Sequence, residues 1–341
     1  MGQNKSTMSF NTVKKSNREA RRHRLQFSRV ILLAIFAVIA LLILTSLIFA
    51  VCLLVNPTSP VDETPPQQTT DPNSDAPQTA PEKLQYELIT QSASAVHKGV
   101  LINVNYISDS NKHAYVFPET NTQLVNIYDN IAKVSGIEPT YSVGSSAWML
   151  NRETVDAFNQ MMLKHYEVSL GDNTVMINSA YRTREEQSSY STPVGYSDHH
   201  TGYCAALRPS NKNGFLKSNH WIYENCHKYG FVIRYPDEKA KITGVDGYEY
   251  CIRYVGVAHA SYMTANNLCL EEYTDLLAKN YTKDNALEIN AADGHQYKVY
   301  YVASAGDITT LDVPKNYVYT LSGDNIGGFI VTVHLDEPKN A

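Results

Sequence analysis

Positive charge is scarce in this sequence outside its first 29 residues. Those residues hold eight of the 29 Lys and Arg residues and one acidic residue, while the whole chain carries a formal net charge of −5. Residues 30–55 are uncharged, so subtracting the N-terminal +7 from −5 leaves −12 for the remainder of the chain. Such an acidic region is a poor nucleic-acid binder, and we expect no nucleic-acid partner.

Charged residues are absent from 30–55, where only Thr45 and Ser46 are markedly polar. This run exceeds the ~20 residues that a membrane-spanning helix needs. It is also too long for a signal peptide and lacks a small-residue cleavage site. We predict one uncleaved transmembrane helix in the cell membrane. The basic residues before it predict a cytoplasmic N-terminus and a main domain outside the cytoplasm.

Aromatic residues are absent from 56–83, a segment that holds seven of the chain's 14 prolines. A segment of this composition cannot bury enough apolar surface to fold, and we expect an extended linker. The sequence therefore predicts a cytoplasmic basic tail at 1–29, a transmembrane helix at 30–55, the linker at 56–83, a globular domain at 84–279 and a small β-rich appendage at 280–341.

The globular region mixes helical and strand-like patterns. Val155, Phe158, Met162 and Leu163 recur at helical spacing and predict a helix over 151–166. Further patterns predict strands at 99–104, 175–179, 203–207, 231–235 and 248–255, and helices at 221–229 and 263–279. This mixture predicts an α+β fold.

The appendage at 280–341 shows three strand-like stretches, at 297–303, 317–321 and 328–335. Three strands cannot bury a core of their own, so we expect them to pack on the main domain. The sequence assigns no ligand to this region.

The most distinctive pattern lies between residues 178 and 209. A strand-like run leads into Ser179 and Arg182, a polar loop follows, and His199 and His200 come just before a second apolar run. Loops that join rigid elements are common places for functional sites. The alternative is a surface loop with a solvated arginine and two ordinary histidines.

The order of these residues resembles the zinc D-alanyl-D-alanine carboxypeptidases of the VanY type. The matching positions are Ser179, Tyr181, Arg182, Thr183, Gln187, Ser197, His199, Thr201 and Gly202, followed by Trp221, 229–231, 234–236, 243–244, 253–256 and 259–260. The resemblance implies a VanY-like core, a small mixed or antiparallel sheet with helices packed on it. It also implies a role at the cell wall of a bacterium.

The resemblance implies zinc ligands at positions 199, 206 and 251 and a general base at position 248. This chain has His199, Ala206, Cys251 and Tyr248 there, with Glu249 one residue late. Hydrolytic zinc needs three protein ligands and one open position. We therefore expect no catalytic residue and no cofactor. Zinc is expected only if the family site still functions.

The resemblance also implies that Arg182, Gln187 and Ser197 bind the peptide substrate. A guanidinium can bind a carboxylate through two hydrogen bonds, and a stem peptide that ends in D-Ala-D-Ala carries one at its terminus. The alternative is that Arg182 pairs with Glu185 or Glu186.

Four cysteines lie beyond the transmembrane run, and they allow three pairings. The resemblance favours Cys204–Cys251, because it places both near the metal position, and this leaves Cys226–Cys269. The competing interpretation is a rebuilt metal site of His199, Cys204 and Cys251, since thiolate and imidazole are good zinc ligands.

These observations predict a membrane-anchored, catalytically degenerate binder of peptidoglycan stem peptides that end in D-Ala-D-Ala. One alternative is an active D,D-carboxypeptidase with an altered metal site. The other is a protein-interaction module whose cleft has no remaining use.

Overall fold

The computed structural model describes residues 83–108, 111–119, 121–208 and 220–339. The predicted tail, the predicted transmembrane helix and nearly all of the predicted linker lie outside these ranges. Within them, no helix combines the length and the apolar character needed to cross a membrane.

The described residues form both helices and strands, so the predicted α+β class is confirmed. The α-helices are Arg152–Val168, Arg184–Gln187, His220–Asn225, Ala240–Thr243, Val257–Ala265 and Leu270–Asn280. Short 3-10 turns occupy Ala93–His97, Tyr128–Asn130, Asp198–Thr201, Cys226–Tyr229 and Asp237–Lys239. The strands are Tyr86–Ser92, Asn105–Ser108, Asn111–His113, Leu124–Asn126, Lys133–Val134, Glu138–Pro139, Ser142–Val143, Met149–Asn151, Met176–Ser179, Cys204–Arg208, Phe231–Ile233, Cys251–Tyr254, Leu287–Asn290, Gln296–Ala303, Ile308–Pro314, Tyr317–Gly323 and Gly328–Pro338.

A five-stranded sheet, here called the central sheet, lies at the middle of the family-like region. Its strand order is Phe231–Ile233, Cys251–Tyr254, Cys204–Arg208, Met176–Ser179 and Ser142–Val143. The first three pairings are antiparallel and the last is parallel. The sheet therefore matches the mixed or antiparallel arrangement that the resemblance implied.

The helix Arg152–Val168 covers one face of the central sheet. Val155, Phe158 and Met162 are buried against it, as the helical spacing predicted. Leu163, which belongs to the same helical spacing, is 41% exposed. A residue directly after Met162 is rotated by one helical step, and this turns the side chain from the sheet to the edge of the helix.

The prediction of a strand at 99–104 is wrong. The segment crosses the interior, but its carbonyl groups bind a side chain instead of a neighbouring strand. Arg253 Nη2 donates to Val100 O at 2.9 Å and to Ile102 O at 3.2 Å. The nearest strand begins only at Asn105. Local apolar patterning cannot distinguish these two ways of satisfying a buried backbone.

The predicted closing helix at 263–279 is two helices, Val257–Ala265 and Leu270–Asn280. Asn267 between them adopts a left-handed conformation, with φ of 50°. The second helix begins with a cap, because the Glu272 carboxylate accepts from the Cys269 amide at 3.0 Å. A left-handed residue cannot continue a right-handed helix, so the chain breaks there.

The C-terminal region contains more strands than the three predicted. Leu287–Asn290 adds a fourth strand to their sheet. Ile308–Pro314 pairs antiparallel with Tyr86–Ser92, the first strand of the described chain. As expected, this unit packs on the rest: one core cluster joins Leu287 and Val299 to residues of the helices. The β-rich unit thus draws on both ends of the described chain.

Candidate functional site

A cleft of about 690 Å³ opens beside the central sheet. Five of the predicted site residues line it: Arg182, Ser197, His199, Ala206 and Tyr248. Tyrosines supply much of the remaining wall, namely Tyr106, Tyr190, Tyr196, Tyr235 and Tyr250. The structure therefore gathers residues from well-separated stretches of the sequence at one concave surface, where ligand sites usually occur.

The central sheet sets the positions at the base of the cleft. Ser179 pairs with Ala206, and Ala206 pairs with Cys251, across adjacent antiparallel strands. His199 comes from the 3-10 turn Asp198–Thr201, which leads into the strand that carries Ala206. The three positions that the resemblance assigned to zinc are therefore neighbours.

Arg182 is buried, and neutral groups hold it in place. Its Nε and Nη2 donate to Ser179 Oγ at 3.0 and 2.8 Å, and its Nη1 donates to Gln187 Oε1 at 3.2 Å. Gln187 is itself fully buried and binds Thr192 O, so it supports Arg182 and does not line the cleft. The side chain of Tyr190 lies against the guanidinium, whose Cζ is 3.6 Å from the ring centre.

The alternative pairing of Arg182 with a neighbouring glutamate does not occur. The Glu186 carboxylate accepts from the Thr183 amide at 2.8 Å, as half of a capping box. The Thr183 hydroxyl accepts from the Glu186 amide in return. Glu186 is therefore used to start a short helix, and Glu185 lies in the first turn of that helix.

His199 is held between a backbone carbonyl and a phenol. Its Nδ1 donates to Ala180 O at 2.8 Å, and its Nε2 accepts from Tyr248 Oη at 3.0 Å. Burial, aided by the positive charge of Arg182, lowers the pKa of His199 to about 3, so the imidazole is neutral. Burial likewise raises the pKa of Tyr248, so its phenol keeps its proton and can donate it.

Cys204 and Cys251 are joined by a disulfide, and both are buried. The predicted Cys226–Cys269 bond is wrong, because both of these cysteines are free. Cys226 lies in the core between the central sheet and its long helix. Cys269 lies at the start of Leu270–Asn280, and the two side chains are thus held in different parts of the interior.

Comparison with known proteins decides the family. Residues 159–257 match the VanY D-alanyl-D-alanine carboxypeptidase family. The chain is 32% identical to a D-alanyl-D-alanine carboxypeptidase of Enterococcus faecium over 261 residues, which cover 74% of this chain and 80% of the relative. The chain belongs to the VanY D-alanyl-D-alanine carboxypeptidase family.

Other relatives match smaller parts of this VanY-family chain. It is 34% identical to a putative carboxypeptidase, YodJ, of Bacillus subtilis over 116 residues, which cover 32% of this chain and 41% of the relative. Among solved structures, the vancomycin resistance D,D-dipeptidase VanXYg, in complex with a D-Ala-D-Ala phosphinate analogue, aligns with a TM-score of 0.60 at 24% identity. That alignment covers 73% of this chain and 99% of the other, and it shows that the fold is shared.

The residues at the three positions that the resemblance assigned to zinc do not fit a zinc ion while the disulfide is formed. Ala206 offers a methyl group, and the Cys251 sulfur is in a disulfide. The nitrogen of His199 that faces the cleft accepts a hydrogen bond from Tyr248. Glu249 does not line the cleft, although Tyr248 and Tyr250 on either side of it do.

A buried ion-pair network next to the cleft was not predicted from the sequence. Asp198, which precedes His199 in the chain, binds two buried arginines, Arg234 through Nε at 2.7 Å and Arg253 through Nη1. Arg234 also binds Glu271 at 2.7 Å. This network fixes the turn Asp198–Thr201 that presents His199. The sequence contained a sign of this network, because Arg234 and Arg253 belong to the matching motifs and Asp198 lies between the matching residues Ser197 and His199.

Proposed function

We propose that this chain binds peptidoglycan stem peptides that end in D-Ala-D-Ala and does not hydrolyse them. The observation that carries the proposal is the contrast within one cleft. Arg182 is buried, oriented and held by neutral partners, whereas the groups needed to hold a catalytic zinc ion are replaced or occupied. The cleft therefore keeps Arg182, which could recognise a substrate, but lacks the zinc ligands and the general base that hydrolysis would need.

Arg182 has the chemistry to recognise a terminal carboxylate. Ser179 and Gln187 accept from three of its five N–H groups, and the Tyr248 phenol is a further partner, so at least one donor remains for a ligand. Because its side chain is already immobilised, binding costs little side-chain entropy. Ser197, also on the cleft wall, adds a hydroxyl that already accepts from the His199 amide. The tyrosine-rich wall offers apolar area with polar tips, which suits a peptide.

Calorimetric titration of the full chain with a stem peptide that ends in D-Ala-D-Ala, as acid and as amide, tests the proposal. We expect the amide to bind roughly 10- to 150-fold more weakly, since one charge-assisted bond contributes about 1.5–3 kcal/mol. Arg182→Ala should give a similar loss, and the double change should add little, because both remove one contact. D-alanine release should be absent throughout.

Arg184→Ala is the matched control, because Arg184 stacks on Phe117 and does not line the cleft. Equal affinity for acid and amide, or an unchanged affinity after Arg182→Ala, would contradict the proposal. That result would favour a protein-interaction module instead.

We also propose that residues 30–55 anchor the chain in a cell membrane with the VanY-family domain on the extracytoplasmic side. The support is the uncharged apolar run and the basic residues before it. The proline-rich segment at 56–83 would then hold the cleft away from the lipid surface.

A further inference from the structure

Three potential metal ligands meet at the base of the cleft, and only two of them are family ligand positions. An imidazole nitrogen of His199 and the sulfur atoms of Cys204 and Cys251 lie within 4.8 Å of one another. All three residues are buried. Cys204 is the new member of the set, and nothing in the family pattern assigns it a role.

The strand geometry explains how Cys204 can replace a lost ligand. Side chains two residues apart in a strand point to the same face, so Cys204 and Ala206 share a face of the central sheet. Ala206 pairs directly with Cys251 on the adjacent strand. Position 206 thus lacks a carboxylate, but the thiol of Cys204 lies two residues earlier on the same face of the strand. Its sulfur reaches Cys251, the residue that Ala206 pairs with.

His199 is oriented as a metal-binding histidine usually is. Its Nδ1–H donates to Ala180 O, which fixes the tautomer and the plane of the ring. Its Nε2 lone pair points to the side where Tyr248 now donates. A backbone carbonyl on the far nitrogen is a common support for a histidine ligand.

We propose that reduction of the Cys204–Cys251 disulfide converts this cluster into a three-ligand site for one soft divalent cation such as zinc, formed by His199 Nε2 and the two thiolates. In the reducing step, a dithiol gives up two electrons and two protons and becomes a disulfide, while Cys204 and Cys251 become thiols. Zinc binding then releases those two protons. The sulfur atoms of Cys204 and Cys251 can therefore either bond to each other or bind the metal, but not both.

A divalent cation suits the charge of the reduced site. Two thiolates and one dication sum to zero, so the filled site adds no net charge to a buried region that already contains Arg182. Thiolate and imidazole ligands also favour zinc over the hard cations magnesium and calcium. Both proposals concern the same cleft, since His199, Tyr248 and Arg182 all line it. Their tests are separate, because one measures the zinc content of the reduced chain and the other measures the peptide affinity of the oxidised chain.

The test compares the oxidised and the reduced full chain. The reductant is a phosphine, which leaves as phosphine oxide and adds no competing thiol. We expect about one zinc per chain after reduction and dialysis, and essentially none in the oxidised chain. Cobalt(II) should give a sulfur-to-cobalt charge-transfer band only in the reduced chain, and this readout does not depend on any activity.

Variants assign the ligands. His199→Ala and Cys204→Ser should each weaken zinc binding of the reduced chain by at least about tenfold. Cys226→Ser is the matched control, because Cys226 is buried and free but lies outside the cluster. It should bind zinc as the unaltered chain does.

Tyr248→Phe tests the role of His199 Nε2 as a ligand. The phenol of Tyr248 competes with the metal for the lone pair of this nitrogen, so we expect about threefold to tenfold tighter zinc binding in the variant. The proposal is overturned if the reduced chain binds no zinc or cobalt. Equal binding by the oxidised chain, or loss of binding in Cys226→Ser, overturns it as well. Because the oxidised and reduced states of the unaltered chain are compared first, poor folding of a variant cannot hide the result.

Discussion

At the scale of single residues, Tyr248 lies where the resemblance implied a general base. Its hydroxyl donates to the ring nitrogen of His199 that faces the cleft. Tyr235 and Tyr250 pack against its ring and hold it there. The sequence identified the replacement, but only the structure shows that the new side chain binds His199.

The cysteines lead to a prediction about thiol reactivity. Burial raises the pKa of both Cys226 and Cys269 to about 12, so neither presents a thiolate at neutral pH. We expect neither to react with an alkylating reagent in the native chain and both to react after unfolding. Non-reducing peptide mapping should join Cys204 to Cys251. Rapid native alkylation of Cys251 would contradict this account.

Asp198 leads to a prediction about stability. It is the shared partner of Arg234 and Arg253, and all three side chains are shielded from solvent. Asp198→Ala leaves Arg253 without its carboxylate, so we expect a loss of about 3–5 kcal/mol in the free energy of unfolding. Denaturant titration measures the loss.

The control for that measurement is Lys279→Ala, which breaks an exposed ion pair with Asp275. Exposed pairs contribute little, so the transition should not move measurably. An Asp198→Ala chain as stable as the control would show that the two arginines find other partners or become solvated.

At the scale of elements, the helix Arg152–Val168 was predictable and the segment 99–104 was not. The sequence predicts the helix, because its apolar residues repeat at helical spacing and face one sheet. The segment has the apolar character of a strand, but the side chain of Arg253, distant in sequence, binds its carbonyls. The local apolar pattern predicts which residues are buried. It does not predict which groups form hydrogen bonds with their backbone N–H and C=O groups.

His259 couples three elements and leads to a prediction about pH. It lies on Val257–Ala265, where its Nδ1 meets Tyr273 Oη at 2.8 Å and its Nε2 meets Thr332 Oγ1 at 3.0 Å. Burial, with a smaller contribution from His334, lowers its pKa from 6.5 to about 3. Between these values the unfolded chain binds a proton that the folded chain does not. Stability should therefore fall as the pH drops from about 6.5 towards 3.

His259→Gln keeps a polar side chain at this position and removes the titration. We expect a flatter stability profile in that window, by up to about 1.4 kcal/mol per pH unit. His199 contributes to the same window through its own lowered pKa, so some slope should remain. His220→Gln, at an exposed position, serves as the control. An unchanged slope in His259→Gln would contradict the assignment.

At the scale of the whole molecule, the β-rich unit shows what a sequence pattern cannot reveal. Tyr86–Ser92 pairs with Ile308–Pro314, although most of the described chain separates them. Each strand has an ordinary pattern, and no local signal names its partner. The family-like cleft was predictable because its residues fall in short ordered motifs. The unit that joins both ends of the described chain was not.

The uncharged run at 30–55 leads to a prediction about how the whole chain is attached to the membrane. If residues 30–55 span the membrane, a high-salt wash should leave the full chain in the membrane fraction, because insertion rests on apolar burial and not on charge. A chain that lacks residues 1–55 should move to the soluble fraction. Protease added to intact cells whose wall has been removed should cleave the linker and release the VanY-family domain, since the basic flank places that domain outside. Extraction of the full chain by salt alone, or protection of the domain until the cells are lysed, would contradict the proposed topology.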